Sequence, residues 1–136
     1  MEVKMRDYQR KRNNPYVLPW NLYREMLYAI RDYDRLVEEY NNRLEEGMSP
    51  ESDSPSGGKT NRTGDPTGMK VVKLSEISRR ILAIDKARMV IPEEYMNGIW
   101  NNIIKGTAYP RNADPRTYGT WKGRFVYEVA RNLNRI

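Results

Sequence analysis

The chain has 136 residues, which suits one domain with a modest core, and it carries a net charge of +6 with 31% charged and 38% hydrophobic residues. It contains no cysteine and no histidine, which excludes disulfides, thiol nucleophiles, imidazole or thiolate metal sites and the usual general base near neutral pH. The basic balance draws it towards nucleic acid or anionic surfaces, and no apolar run approaches the roughly 18 residues of a membrane span.

The start, "MEVKMRDYQRKRNNP", is polar and is not read as a signal peptide. With the absence of cysteine it leads to the expectation of a soluble, cytoplasmic protein with no membrane partner. Residues 1–14 hold five Lys/Arg against two acids, and residues 105–136 hold seven against two, so the basic character sits at the two ends. Residues 1–18 are read as a basic N-terminal arm. Such an arm is either solvated and frayed or a contact to phosphates.

"LPWNLYREMLYAIRDYDRLVEEYNNRLEEG" predicts a long amphipathic helix over 19–46. Tyr23, Met26, Leu27, Ile30, Val37, Tyr40 and Leu44 recur at three- and four-residue spacing, and Leu22, Tyr33 and Leu36 widen the stripe. Gly47 is a natural stop. At 1.5 Å per residue such a helix runs about 40 Å, which suggests hairpin packing or a homo-oligomer through this helix. The aromatics of "PYVLPWNLYREMLYAI" read first as core packing and second as a sticky surface. The acids Asp32, Asp34, Glu38 and Glu39 are adjacent or two apart, point different ways on a helix, and read as solvated charges.

Residues 47–68 hold five Gly, three Pro and four Ser and read as a flexible linker. The "GGKT" within it is not a phosphate loop, because Asp53 stands where that motif needs its first glycine, and no strand precedes it. Residues 69–136 are read as a helical domain. Its first helix belongs to "DPTGMKVVKLSEISRRILAIDKARMV", with Asp65 and Pro66 as a cap-and-proline start and Val71, Leu74, Ile77, Ile81 and Ile84 as its stripe. The next, "IPEEYMNGIWNNIIKG", opens at Pro92, buries Met96, Ile99, Trp100, Ile103 and Ile104, and ends at Gly106. "TAYPRNA" connects it to a second cap-and-proline start at Asp114-Pro115. No strand is predicted. The expected class is all-α, about four helices with a long flexible loop between the first and second.

In the last helix, Tyr118, Trp121, Phe125, Val126, Val129 and Leu133 share one face. Arg116, Thr120, Gly123, Arg124, Tyr127, Arg131, Asn134 and Arg135 share the opposite one. Glu128 lies at its margin, and Lys122 lies on the apolar margin, where it would have to snorkel. Ordinary solvent faces mix signs, whereas this face is basic and mixes Arg with Thr, Tyr and Asn. Those types contact phosphates, and Arg and Asn read base edges. Gly123 in mid-helix marks either close approach of a partner or a kink.

In layout, from "YAIRDYDRLVEEYNNRLEE" through "GDPTGMKVVKL" and "IPEEYMNGIWNNII" to "DPRTYGTWKGRFVYEVARNL", the chain resembles the small phage regulators of the RinA and ArpU type. Their C-terminal part is like region four of sigma factors. The resemblance implies a helix-turn-helix unit in which Arg116, Thr117, Thr120, Lys122 and Arg124 lie nearest DNA. It also implies activation of late or packaging genes. The sequence differs from a full sigma-like motif just before the turn, where only "KGTAYPRNA" separates Ile104 from Asp114. Either "IPEEYMNGIWNNII" takes the supporting role, or the motif has decayed and the fold serves another purpose.

The expected function is therefore a DNA-binding transcriptional regulator contacting double-stranded DNA through Arg116, Thr117, Thr120, Lys122, Arg124, Tyr127, Arg131 and Arg135. RNA polymerase or another protein is a second expected partner. The alternative is a helical phage protein that binds a host or phage protein, as an inhibitor or a terminase-small-subunit-like packaging factor. No nucleophile context, metal set or cofactor site is read, and an enzyme is not expected.

Overall fold

The computed structural model describes Gln9, residues 14–47 and residues 74–136. Among these residues it is all-α, with five helices: α1 (Trp20–Arg31), α2 (Tyr33–Glu45), α3 (Leu74–Val90), α4 (Glu93–Lys105) and α5 (Pro115–Asn132). None of these is long and apolar enough to cross a membrane. The Asp65-Pro66 start, Val71, "GGKT" and most of the N-terminal arm and the linker lie outside the described residues.

The long first helix of the sequence reading is two helices. Asp32 sits at φ −88, ψ 3 between them. Its N–H still bonds to the carbonyls of Tyr28 and Ala29, and its own carbonyl accepts from Leu36, so the hydrogen-bond ladder continues across the break. The two halves serve different neighbours. α1 lays Tyr23, Met26, Leu27 and Ile30 into the core against α4 and α5, whereas α2 leans on α3 and buries only Leu36. Leu44, at the far end of the expected stripe, is exposed.

α5 is the helix on which α1, α3 and α4 pack. Tyr118, Phe125, Val126, Val129 and Ala130 are fully buried against α1, α3 and α4. The expected apolar face of this helix is buried apart from half-buried Trp121. Small residues let α3 and α5 close together: Ala83 and Ala87 on one, Ala130 on the other. Two side chains then tie α3 to the end of α5. Arg79 donates to the Leu133 carbonyl at 2.8 Å, and Asn132 donates to the Ala83 carbonyl at 2.9 Å. The first of these satisfies a carbonyl that a helix end leaves without an internal partner.

Both ends of α5 follow from local sequence. Asp114 caps it by accepting from the Arg116 N–H at 2.8 Å, with Pro115 at the first position. At the other end Asn134 takes a left-handed conformation (φ 58). The N–H of Arg135 bonds to the Ala130 carbonyl and that of Asn134 to the Arg131 carbonyl, which is a Schellman termination. α4 ends at Gly106, also left-handed at φ 73. The connector 106–114 folds back on the core: Tyr109 stacks on Tyr118 at 5.0 Å between ring centres, and Pro110 packs on Gly98 of α4.

Candidate nucleic-acid interface

The eight residues of the expected interface fall into three settings. Arg116, Thr117 and Thr120 lie together at the start of α5, around a shallow depression that they line with Asp114. The Arg116 side chain is 76% exposed. Its guanidinium lies against the capping carboxylate, with Nη2 donating to Asp114 Oδ2 at 2.9 Å. That hydrogen bond raises the Arg116 pKa above its ordinary value, so the group stays cationic at any pH of interest. The Thr120 hydroxyl donates to the Arg116 carbonyl at 2.9 Å.

The middle of the face is covered by the chain itself. Gln9 clamps both backbone groups of Leu18, accepting from its N–H and donating to its carbonyl at 2.7 Å. Asn14 accepts from the Tyr16 N–H at 2.9 Å, a local turn that lays the 14–18 segment over α5. A Cβ added at Gly123 would sit 3.7 Å from the Asn14 amide. Tyr16 meets Tyr127 edge-on at 5.1 Å, and the Arg124 guanidinium lies 4.5 Å from the Tyr16 ring centre. Close approach at Gly123 is thus made by the chain's own N-terminal segment.

Lys122 departs furthest from expectation. It does not snorkel: it is 1% exposed, and Nζ donates to Asn102 Oδ1 on α4 at 2.8 Å. Asn102 in turn donates to the Thr107 carbonyl at 2.9 Å. This buried network joins α5 to α4 and to the beginning of the connector. An ammonium held there does not reach a phosphate at the surface.

The third setting is the far end, where acids balance the arginines. Glu128 is 4% exposed and takes Arg124 at 2.8 Å and Arg131 at 3.6 Å. Arg135 has left the helix at the Schellman turn and pairs with Glu25 of α1, one of its two bonds measuring 3.0 Å. That hydrogen bond holds the Glu25 carboxyl below its ordinary range. The face read as one-signed is therefore flanked by Asp114, Glu128 and Glu25. The first two were visible as an N-cap and as a residue four after Arg124. Nothing in the sequence signals the third, 110 positions from its partner.

Elsewhere among the described residues, several charges pair with one another. A cleft of about 440 Å³ between α1, α3 and the C-terminus is lined by Glu25, Asp32, Glu76, Arg79, Arg80 and Arg135. Glu76 meets both Arg79 and Arg80, and Arg35 grips Asp32 at 2.6 Å and reaches Glu39. No group of three or more acids that could hold a metal ion occurs among the described residues. No protein-family model, curated protein or solved structure matches the chain.

Proposed function

We propose that the chain is a phage-type DNA-binding regulator, of the late- or packaging-gene kind its sequence resembles, that meets duplex DNA with the first turn of α5. Arg116 supplies a phosphate or base-edge contact, and Thr117 and Thr120 flank it. The reading is supported above all by one contrast: Arg116 and Thr120 are exposed at the start of α5, with Thr117 half-buried beside them, whereas residues 121–130 of the helix are buried or half-buried. A recognition helix works in that way, with its N-terminal residues at the base edges and its body held by the supporting helix. α4 is the supporting helix in this reading. The connector 106–114 is longer than the turn of about three to four residues in the common motif. Its packing through Tyr109 and Pro110 fixes the start of α5 by burial instead of by brevity.

The reading narrows the interface. Lys122 takes no part, Arg124 and Tyr127 brace the 14–18 segment, and Arg131 and Arg135, each paired with an acid as Arg116 is, lie about four turns or more beyond Arg116 in the chain. The test is fluorescence anisotropy on random-sequence duplex DNA across a salt series. Wild type should bind with a steep fall of log K against log salt, and Arg116→Ala should lose up to about 0.9 of that slope. No binding at low salt, or an unchanged slope in Arg116→Ala, would refute the proposal.

A further inference from the structure

Along the outer face of α3, Leu82, Lys86 and Met89 follow one another at four- and three-residue spacing. With Ser75 and Ser78 they fall within about 80° of helix turn, opposite the inward face of Ile77, Ala83, Ile84 and Ala87. Leu82 is 56% and Met89 86% exposed, and Val90 next to Met89 is 39% exposed. The two serines are short, and a groove of about 360 Å³ opens beside Leu82, its lining including Ser75, Ser78, Ala83, Lys86 and Asn132 at the end of α5. α3 carries six charged side chains, and five of them are engaged within the fold. Glu76 meets Arg79 and Arg80, Asp85 accepts from the Tyr33 hydroxyl at 2.7 Å, and the Arg88 guanidinium lies 4.2 Å from the Trp100 ring centre. Lys86 is the sixth. It is exposed, and no hydrogen bond, ion pair or ring contact holds it among the described residues.

We propose that this face of α3 is a docking surface for an amphipathic helix of another protein, one that lays apolar side chains against Leu82 and Met89 and sets a carboxylate beside Lys86. Side chains at i, i+4 and i+7 form the seam along which one helix meets another. Methionine adapts its shape to a partner, which suits it to binding surfaces. The apolar pair supplies the affinity, since an exposed ion pair adds little, and Lys86 sets the sign of the partner. The helix as a whole agrees with that sign: four basic side chains against two acidic ones leave it at +2. A second copy of the chain would set one such helix against another of the same sign. Duplex DNA matches the charge, but interfaces with it are more polar and give Leu82 and Met89 no apolar counterpart. The surface lies on a different helix from the DNA contact proposed above and stands or falls separately from it.

The test is an NMR titration of the full chain labelled with ¹³C at its methionine methyls, the Met89 signal being assigned from Met89→Leu. Met26 and Met96, both buried, serve as internal references. The probes are a synthetic amphipathic helix bearing Glu on its polar face and Leu on the other, the same peptide with Lys for Glu, and a random-sequence DNA duplex. The Glu peptide should shift Met89 saturably and bind more tightly than the Lys peptide. Leu82→Ala should weaken that binding about tenfold with the unfolding midpoint unchanged, and Lys86→Glu should turn the preference to the Lys peptide. Equal response to both peptides, a Met89 shift from the duplex alone, a Met89 shift on concentrating the chain by itself, or no response to any probe at millimolar concentration would overturn the proposal.

Discussion

Two buried glycines in the middle of helices should answer to alanine with opposite signs. In each, alanine removes a helix-propensity penalty of about 1 kcal/mol. At Gly123 the added Cβ would meet only the Asn14 amide at 3.7 Å, ordinary van der Waals contact. Gly123→Ala should therefore stabilise the protein by about 0.5–1 kcal/mol. At Gly98 the added Cβ would lie 2.6 Å from Pro110 Cδ and 2.9 Å from Tyr118 Cε1, roughly 1 Å inside the contact optimum. Neither neighbour can give way easily. Pro110 is a ring fixed in the connector, and Tyr118 is held between Tyr95 and Tyr109 at 5.3 and 5.0 Å. Overpacking of this kind costs about 3 kcal/mol at the upper end of its usual range. Net of propensity, Gly98→Ala should lose about 2 kcal/mol. Urea unfolding followed by circular dichroism measures both, and at about 4 °C per kcal/mol the two melting temperatures should differ by roughly 10 °C. A Gly98→Ala protein as stable as wild type would refute the close packing of α4, Pro110 and α5 on which the placement of Arg116 depends.

The remaining predictions concern the buried lysine and the tyrosines. Lys122→Ala should lower stability by about 2 kcal/mol, through the lost stem and the unmet Asn102 acceptor, and leave the salt slope of DNA binding unchanged; a fall in slope like that of Arg116→Ala would contradict its burial. Tyr109 is pushed up to about 12 by burial, and Tyr33 to about 12 by burial and then by its hydrogen bond to Asp85. Both folded values lie above the ordinary 10.0, so their stabilising contribution is complete below pH 10 and is lost as pH rises from there through about 12. Tyr109→Phe should flatten that alkaline loss, and Asp85→Asn should bring the Tyr33 titration, followed by phenolate absorbance, to lower pH. Tyrosines that all titrate together near pH 10 with the fold intact would contradict both assignments.

The all-α class and most of the inward faces were legible because they depend on spacing within one helix. The Asp114-Pro115 start and the Gly106 stop were legible because caps are local chemistry. The break at Asp32 was not, since neither Pro nor Gly marks it. It follows from α1 and α2 having different neighbours. The charge on α5 was misjudged for a similar reason. A helical wheel shows which residues share a face, but it cannot show that Glu25 comes from α1 to meet Arg135, or that Tyr16 lies over Arg124. It also continues past the true end of the helix: Asn134 and Arg135 have wheel positions on paper, but the chain has turned by then. Lys122 was legible as a problem, a charge at the apolar margin, but not in its solution. Its partner Asn102 lies on another helix in a run, "WNNII", whose polar members gave no sign of facing inward.

The measurement that bears most directly on the proposed function is a map of backbone amide shifts when a random-sequence DNA duplex is added to the ¹⁵N-labelled chain at low salt. The account predicts the largest changes at residues 114–120, weaker ones near Arg131, and none at the buried Lys122–Asn102 pair beyond those transmitted along α5. Changes confined to helices other than α5, or none anywhere, would contradict it.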